Sequence, residues 1–201
     1  MSARRDFVLR ELLPNFEISG LVRPIALAEI LKSETVIVDF GSGMGAHAVN
    51  LAKSNSDVGV LAIDVHTVGL LAISETATQS NLANIRMHHG DGIDVLKGWL
   101  APESIAEFHI LFPDPWPKAR HHKRRLINRA FLELALAVLR PGGRIIFVTD
   151  DESYFESAKL AFQDIEQLDV KFDDWEIPKT TYYKRAIRLG HEISQLSAYK
   201  T

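Results

Sequence analysis

Between residues 35 and 150 the chain repeats one pattern that decides what it can fold into: short apolar, β-branched runs separated by segments of helical spacing. The runs are Thr35–Phe40, Gly59–Asp64, Phe108–Phe112 and Arg144–Asp150, with a more polar one at Ile85–His89. Strands apolar on both sides need cover on both faces, the condition of a buried parallel sheet. Between them, 46–54, 68–81, 92–100 and 123–139 have the length and apolar spacing of crossover helices. This order predicts an α/β fold, a single doubly wound, mostly parallel sheet with helices on both faces. The polar run 85–89 belongs nearer a sheet edge. Arg140-Pro141-Gly142-Gly143 predicts a turn before the fifth strand. Residues 24–31 read as a lead-in helix with Pro24 in its first turn, 151–168 as a helix opened by acidic residues, and the chain from Val170 as strand-like or irregular. Neither a repeat nor a linker interrupts the 201 residues. One domain over 1–201 is expected, with a lead-in over 1–34 and the α/β unit over 35–201.

Composition narrows the chemistry. Cysteine is absent, which excludes disulfides, thiolate metal ligands and cysteine nucleophiles and suits a reducing compartment. No apolar run approaches the roughly 20 residues of a membrane span, and the start, Met1-Ser2-Ala3-Arg4-Arg5-Asp6, lacks the apolar core of a signal peptide. A soluble, cytoplasmic protein with no membrane partner is expected. Among the eight histidines, His88-His89 and His121-His122 are adjacent rather than i, i+4 pairs, and there is no H-E-x-x-H, so no metal is expected. Charge is uneven. Lys118 to Arg125 holds five Lys or Arg and no acid, so against a total of −3 the remaining chain carries −8. A focused basic patch on an acidic body suits a polyanion docking at one place. The plain alternative is a solvated, charged helix start.

The loops after the strands carry the chemistry. The first run ends at Asp39 and passes into Gly41-Ser42-Gly43-Met44-Gly45 ahead of a helix. Glycines there let the backbone turn sharply and aim helix-start N–H groups at a ligand. A nucleotide cofactor is implied, although G-x-G-x-G alone also marks a tight βα turn. Asp64 ends the second run 19 residues after Gly45, where an acid accepts hydrogen bonds from a ribose diol. Asp91, in Gly90-Asp91-Gly92, is placed to face an adenine amino group; either acid is alternatively a helix N-cap. Asp39, Gly41, Gly43, Gly45, Asp64, Asp91 and Gly92 are thus expected around one cofactor crevice at the carboxyl edge of the sheet. The fourth run leads into Phe112-Pro113-Asp114-Pro115-Trp116-Pro117-Lys118, where three prolines stiffen an extended loop. Asp114 would sit beside the cofactor. Trp116 stacks on a base or packs the loop onto the core, and packing is the preferred reading. Lys118, Arg120, His121, His122, Lys123, Arg124 and Arg125 follow at an expected helix start. Cations there oppose the helix dipole, and phosphate binding supplies a reason for them.

With Phe112 to Lys118 and Arg120-His121-His122-Lys123-Arg124-Arg125 in view, the sequence resembles the bacterial tRNA (guanine-N7-)-methyltransferase family. The resemblance runs from about Val36 to Leu196 and takes in Asp39 to Gly45, Ile63 to His66, Asn84, Gly90-Asp91, Thr149-Asp150 and Leu189-Gly190-His191. It implies a class I methyltransferase fold, S-adenosyl-L-methionine as cofactor and a guanine of the tRNA variable loop as target. By position it implies that Gly41, Gly43 and Gly45 form the cofactor loop, that Asp64 holds the ribose and that Asp91 lies near the adenine. Asp114 and Asp150 would face the guanine, while Lys118, Arg120, His121 and Arg124 or Arg125 would receive tRNA phosphates. Thr180 matches the threonine of a family Thr-Lys-Phe-Glu stretch, and Tyr183 stands where its substrate-site glutamate would be. Further departures are Ala46 in place of a usual Glu, Asp39 and Asp64 where many members have Glu, and an abbreviated lead over Ser2 to Glu11.

Guanine N7 has an exposed lone pair and no proton, so its attack on a sulfonium methyl needs no general base. Alignment supplies most of the rate, and a carboxylate beside the base stabilises the positive charge that migrates to the purine. Asp114 is the first candidate and Asp150 the second, either for charge or as acceptor from the guanine N1–H and amino group. Two rival readings are a methyltransferase acting on another RNA or a small molecule, and a noncatalytic subunit that binds tRNA or a protein partner.

Overall fold

A computed structural model describes residues 3–201; Met1 and Ser2, the beginning of the start sequence and of the abbreviated lead, lie outside the described residues. Strands β1 (Thr35–Phe40), β2 (Val58–Asp64), β3 (Ile85–His89), β4 (Ile105–Leu111), β5 (Leu139–Thr149), β6 (Leu168–Lys171) and β7 (Ser194–Lys200) form one sheet of order β3-β2-β1-β4-β5-β7-β6. The first five are parallel, and β7 runs antiparallel between β5 and β6. Winding reverses between β1 and β4, which opens a crevice at their carboxyl ends. The helices are α1 (Ala3–Phe7), α2 (Leu27–Leu31), α3 (Ala46–Ser54), α4 (Thr67–Gln79), α5 (Gly92–Leu96), α6 (Arg129–Val138), α7 (Glu152–Gln163) and α8 (Thr181–Leu189).

Side chains alternate between the faces of a strand. Val36, Val38, Leu61, Ile63, Phe108, Ile110, Ile145 and Phe147 pack with Leu27, Val95, Phe131, Tyr154 and Phe162 of α2, α5, α6 and α7. The opposite face is divided. Val60 and Ala62 pack with Ala48 of α3 and Ile73 of α4, while Ile146 and Val148 pack with Ala186 of α8. As its polar sequence predicts, β3 is an edge strand. Its edge is covered by the preceding segment: the Ile18 N–H donates to Met87 O at 3.0 Å and the Met87 N–H to Phe16 O at 2.9 Å, which leaves less edge open to stray pairing.

Several expected elements are shorter than their apolar spacing, each for a tertiary reason. The helix expected over 92–100 ends at Leu96, because Trp99 O accepts the Ile25 N–H and Ile25 O accepts the Ala101 N–H. That pairing also keeps Ile25 out of the lead-in helix, which starts at Leu27 rather than Pro24. The helix expected over 123–139 divides into a 3-10 turn, Ala119–Arg124, and α6. Between them the Ile127 N–H donates to the Tyr154 hydroxyl at 3.0 Å, and Asn128 caps α6. The helix expected over 151–168 ends at Gln163, after which the chain turns into β6. Arg140 to Gly143 form no separate turn but an irregular opening of β5, where the register against β4 shifts. From Val170 the chain contains α8 as well as strand, an element the sequence reading missed.

Gly69 fixes how closely α4 approaches the loop after β1. A Cβ built at Gly69 would lie 1.6 Å from the carbonyl oxygen of Gly43, whereas one at Gly20 would meet nothing within 4 Å. Gly69→Ala is therefore expected to cost about 1–3 kcal/mol through overpacking and to lower the melting temperature, with Gly20→Ala near wild type in the same thermal scans.

Candidate active site

Because β1 to β5 are parallel, the segments following them emerge at one edge of the sheet. There they enclose a cleft of about 490 Å³ lined by Phe40, Gly41, Gly43, Asp64, Asp91, Gly92, Asp114, Trp116, Arg124 and Tyr182, among others. Its size suits a small-molecule cofactor. Gly41, Gly43 and Gly45 have φ of 81°, 55° and 76°, values glycine adopts without strain. Asp64 faces this cleft and also shapes it: its carboxylate accepts the Gly43 N–H at 2.7 Å and the His66 N–H at 2.7 Å. Asp91 lines the cleft and also caps α5, accepting the Ile93 N–H at 2.9 Å. Gly92 is dictated by packing, since a Cβ there would lie 2.3 Å from the Phe40 ring.

A small recess adjoins the glycine loop, lined by Asp39, Ser42, Gly45, His47, Thr180 and Tyr182, among others. Asp39 is 2% exposed. Its Oδ2 and the Ser42 Oγ are buried and lack a hydrogen-bond partner among the described residues. Burial pushes the Asp39 carboxyl from 3.8 up to about 7, an effect opposed by the Ala48 N–H and reinforced by the charge of Asp64. Two orphaned oxygens are a cost that a ligand bearing N–H donors would relieve. The amino-acid end of S-adenosylmethionine carries such an ammonium, so the residues present fit that cofactor.

A second pocket, about 190 Å³, is lined by Phe112, Pro113, Asp114, Pro115, Asp150, Asp151, Tyr182, Arg185 and His191. Phe112, Pro113, Asp114 and Tyr182 line both it and the larger cleft. The prolines do not act alone in bending this loop: Phe112 and Trp116 have φ of 53° and 47°, in the left-handed region that bulky residues avoid. Phe112 is held there by its N–H bond to Val148 O at 2.8 Å. Asp114 is exposed, and no hydrogen bond to it is found among the described residues. Asp150 is paired, with His191 Nδ1 2.9 Å from its Oδ2.

The basic run is not one functional unit. Lys118, Arg120, Lys123 and Arg124 are exposed, and His121 half-buried, in or beside a 3-10 turn rather than at the start of α6, so the helix-dipole argument does not apply to them. The Arg124 guanidinium lies 4.8 Å from the Trp116 ring centre, and His121 meets the same ring edge-on at 5.8 Å. Trp116 therefore packs against the basic run and lines the cleft, rather than anchoring the loop onto the core as expected. Arg125 corrects the sequence reading. It is 5% exposed and donates to Pro115 O (2.9 Å), Ser153 O (3.0 Å), Ser157 Oγ (2.8 Å) and Ser153 Oγ (3.1 Å), which removes it from the phosphate-accessible surface. Tyr183 is a second correction, because its ring packs on Leu111, Phe112, Ile146 and Val148 and it is not among the residues lining the pockets. Its neighbour Tyr182 lines all three. Thr180 lines the recess and caps α8, accepting the Tyr183 N–H at 3.2 Å. Sequence reading assigned no role to Tyr182, Arg185 or His191; the signal available was the i, i+3 spacing of Tyr182 and Arg185, which puts them on one side of a helix.

Sheet order, glycine loop and adjoining pockets define a class I methyltransferase. A solved structure of an aminoglycoside resistance methyltransferase, NpmB1, superposes with a TM-score of 0.65 at 19% identity, covering 92% of this chain and 98% of that one, a likeness of fold. Residues 33–196 match a family model described as "Putative methyltransferase". A tRNA (guanine-N(7)-)-methyltransferase of Nitrosospira multiformis is 35% identical over 94% of this chain and 91% of its own length. One of Streptomyces avermitilis is 41% identical over 78% of this chain and 54% of its own length. The chain belongs to the bacterial tRNA (guanine-N7-)-methyltransferase family, and its methyl donor is S-adenosylmethionine.

Two expectations follow. Arg125→Ala should lower stability by about 2–4 kcal/mol, since it removes four hydrogen bonds in a buried site and leaves Pro115 O without its donor, while Arg124→Ala should leave the melting temperature within about a degree of wild type. For Asp39, the folded chain retains a proton between pH 3.8 and about 7 that the unfolded chain has released. Stability attributable to this group therefore falls as pH rises through that window and stays low above it. The stability of Asp39→Asn relative to wild type should accordingly improve between pH 4 and pH 8, by an amount on the order of a few kcal/mol, in urea titrations at each pH. A difference independent of pH would contradict a buried, proton-retaining Asp39.

Proposed function

We propose that this chain, acting as one domain, methylates N7 of a guanine in the variable loop of tRNA, in the cytoplasm. The observation that carries the reading is the pair of pockets that share Asp114, one walled by the glycine loop and the other by Asp150, with exposed cations beside them. The larger cleft takes the cofactor: Gly41, Gly43 and Gly45 allow backbone approach, Asp64 receives the ribose hydroxyls, Asp91 and Gly92 border the adenine, and Asp39 with Ser42 meets the ammonium. The smaller pocket takes the base. S-adenosylmethionine supplies an electrophilic sulfonium methyl.

Because N7 bears no proton, the protein's task is placement and charge. Asp114, on a strained and proline-stiffened loop, holds a carboxylate at the boundary between the pockets, where positive charge develops on the purine, and stabilises it. Asp150 accepts from the guanine N1–H and amino group, its orientation fixed by His191. Lys118, Arg120, His121 and Arg124 receive phosphates. These cations position the RNA without choosing the base.

Incubation with labelled S-adenosylmethionine and unmodified tRNA, followed by nucleoside analysis, tests the reading. 7-Methylguanosine is the expected product. Another methylated nucleoside would point to a different target, and tRNA binding without methylation to a noncatalytic role. Asp114→Asn keeps the size and removes the charge. It should lower the single-turnover rate by about a hundredfold while leaving melting temperature and cofactor affinity unchanged; an unaltered rate at saturating tRNA would shift the role to Asp150.

A further inference from the structure

Lys179 and, on α8, Lys184, Arg185 and Arg188 make a second acid-free basic stretch, and Arg185 lines the same pocket as Asp114 and Pro115, which lead into the Lys118–Arg124 run. Lys184, Arg185 and Arg188 are exposed, and no ion pair to any of the three occurs among the described residues. At about 100° per residue, Lys184, Arg188 and Arg185 fall within one arc roughly 100° wide. The arc is continuous with the side of α8 that faces the pocket, because Arg185 and Tyr182 both line it. Ala186 and Tyr183 occupy the opposite, core-facing side. Proximity of Arg188 to the helix C-terminus is favourable to the dipole. That leaves the mid-helix Lys184 and Arg185, close together and of like sign, without a structural reason.

We propose that this arc is a phosphate-binding jaw for the RNA backbone on the far side of the target guanine, opposite the jaw formed by Lys118, Arg120 and Arg124. The inference rests on the tRNA reading above and adds that the backbone is held on both flanks of the pocket. A base can enter a pocket only if its sugar and phosphates turn outward, and holding both neighbouring phosphates stabilises that turned-out state. A basic helix can also bind an anionic membrane. The apolar residues argue against that here: the exposed Ile187 and Leu189 lie roughly 160° apart around the helix, and Tyr182, on the side of Leu189, lines the pockets, so these residues make no free apolar face for lipid.

The test compares Lys184→Ala/Arg188→Ala with wild type and with Lys53→Ala/Lys97→Ala, which makes the same change in net charge at exposed positions outside the pockets. Affinity for unmodified tRNA is measured between 50 and 200 mM salt. The α8 variant is expected to bind several-fold more weakly at the low-salt end, with the slope of log K against log salt smaller by about 1 to 2. Combining it with Lys118→Ala/Arg120→Ala should give an additive loss. KM for tRNA should rise while kcat at saturating tRNA and S-adenosylmethionine affinity stay at wild-type values. A tRNA affinity and salt slope equal to those of wild type, or an equal loss in the Lys53/Lys97 control, would overturn the proposal, as would an α8-dependent binding to phosphatidylserine vesicles in place of tRNA. Failure of the wild type to produce 7-methylguanosine would instead sink the proposed activity, and the binding arms would still decide whether α8 holds RNA.

Discussion

The hydrogen bond from the Gly43 N–H to the Asp64 carboxylate holds together the part of the molecule on which the rest of the site depends. It ties the loop after β1 to the end of β2, beside the crevice that opens where the winding reverses between β1 and β4. The loop can adopt that course because Gly41, Gly43 and Gly45 take positive φ, and because Gly69 of α4 leaves room for the Gly43 carbonyl. A carboxylate in such a place does two things. It settles the conformation of the loop, and it keeps a carboxylate in the wall of the larger cleft.

Beneath that loop the sheet face is polar where a core would be expected. Asp39, Glu107, His109 and Arg144 occupy it between two apolar clusters. His47 Nε2 lies 2.8 Å from His109 Nδ1, His109 Nε2 lies 2.9 Å from Glu107, and Glu107 lies 3.1 Å from Arg144. Burial, with the neighbouring His109, pushes His47 down to about 3, and burial also lowers His109, so both imidazoles are neutral at pH 7 and each link can be a donor–acceptor pair. Trp175 packs edge-on against both rings. It belongs to the segment that leads into α8, so these contacts link α3, which follows the glycine loop, to α8, which lines the pocket of Asp114 and Asp150.

Much of the site was legible before folding was considered, and the failures have separate physical causes. Asp64, Asp91, Asp114 and Asp150 were found because each ends or follows an apolar run, and a parallel sheet brings those ends together. Arg124 and Arg125 could not be told apart in sequence. One lies over Trp116 in solvent, while the other is drawn inward by Pro115 O and the Ser153 and Ser157 groups of α7, which depend on how α6 and α7 pack. Tyr182, rather than the expected Tyr183, lines the pockets for a similar reason. On a helix, adjacent residues point about 100° apart, and the irregular reading of the chain beyond Val170 provided no helix on which to assign them.

The sequence by itself determined the βα alternation, the edge of the sheet at which the pockets open, the glycine loop and the acids after the strands. These follow from local rules: side-chain period, the conformational freedom of glycine and the stiffness of proline. Tertiary structure decided where helices stop, which member of a like-charged pair faces water, and that His191 reaches Asp150. That last contact exists because β7 enters the sheet antiparallel to β5, with Ser194 opposite Thr149. The chain just before β7 is thereby delivered to the same edge where the parallel strands end, a consequence of strand direction that no local pattern of residues encodes.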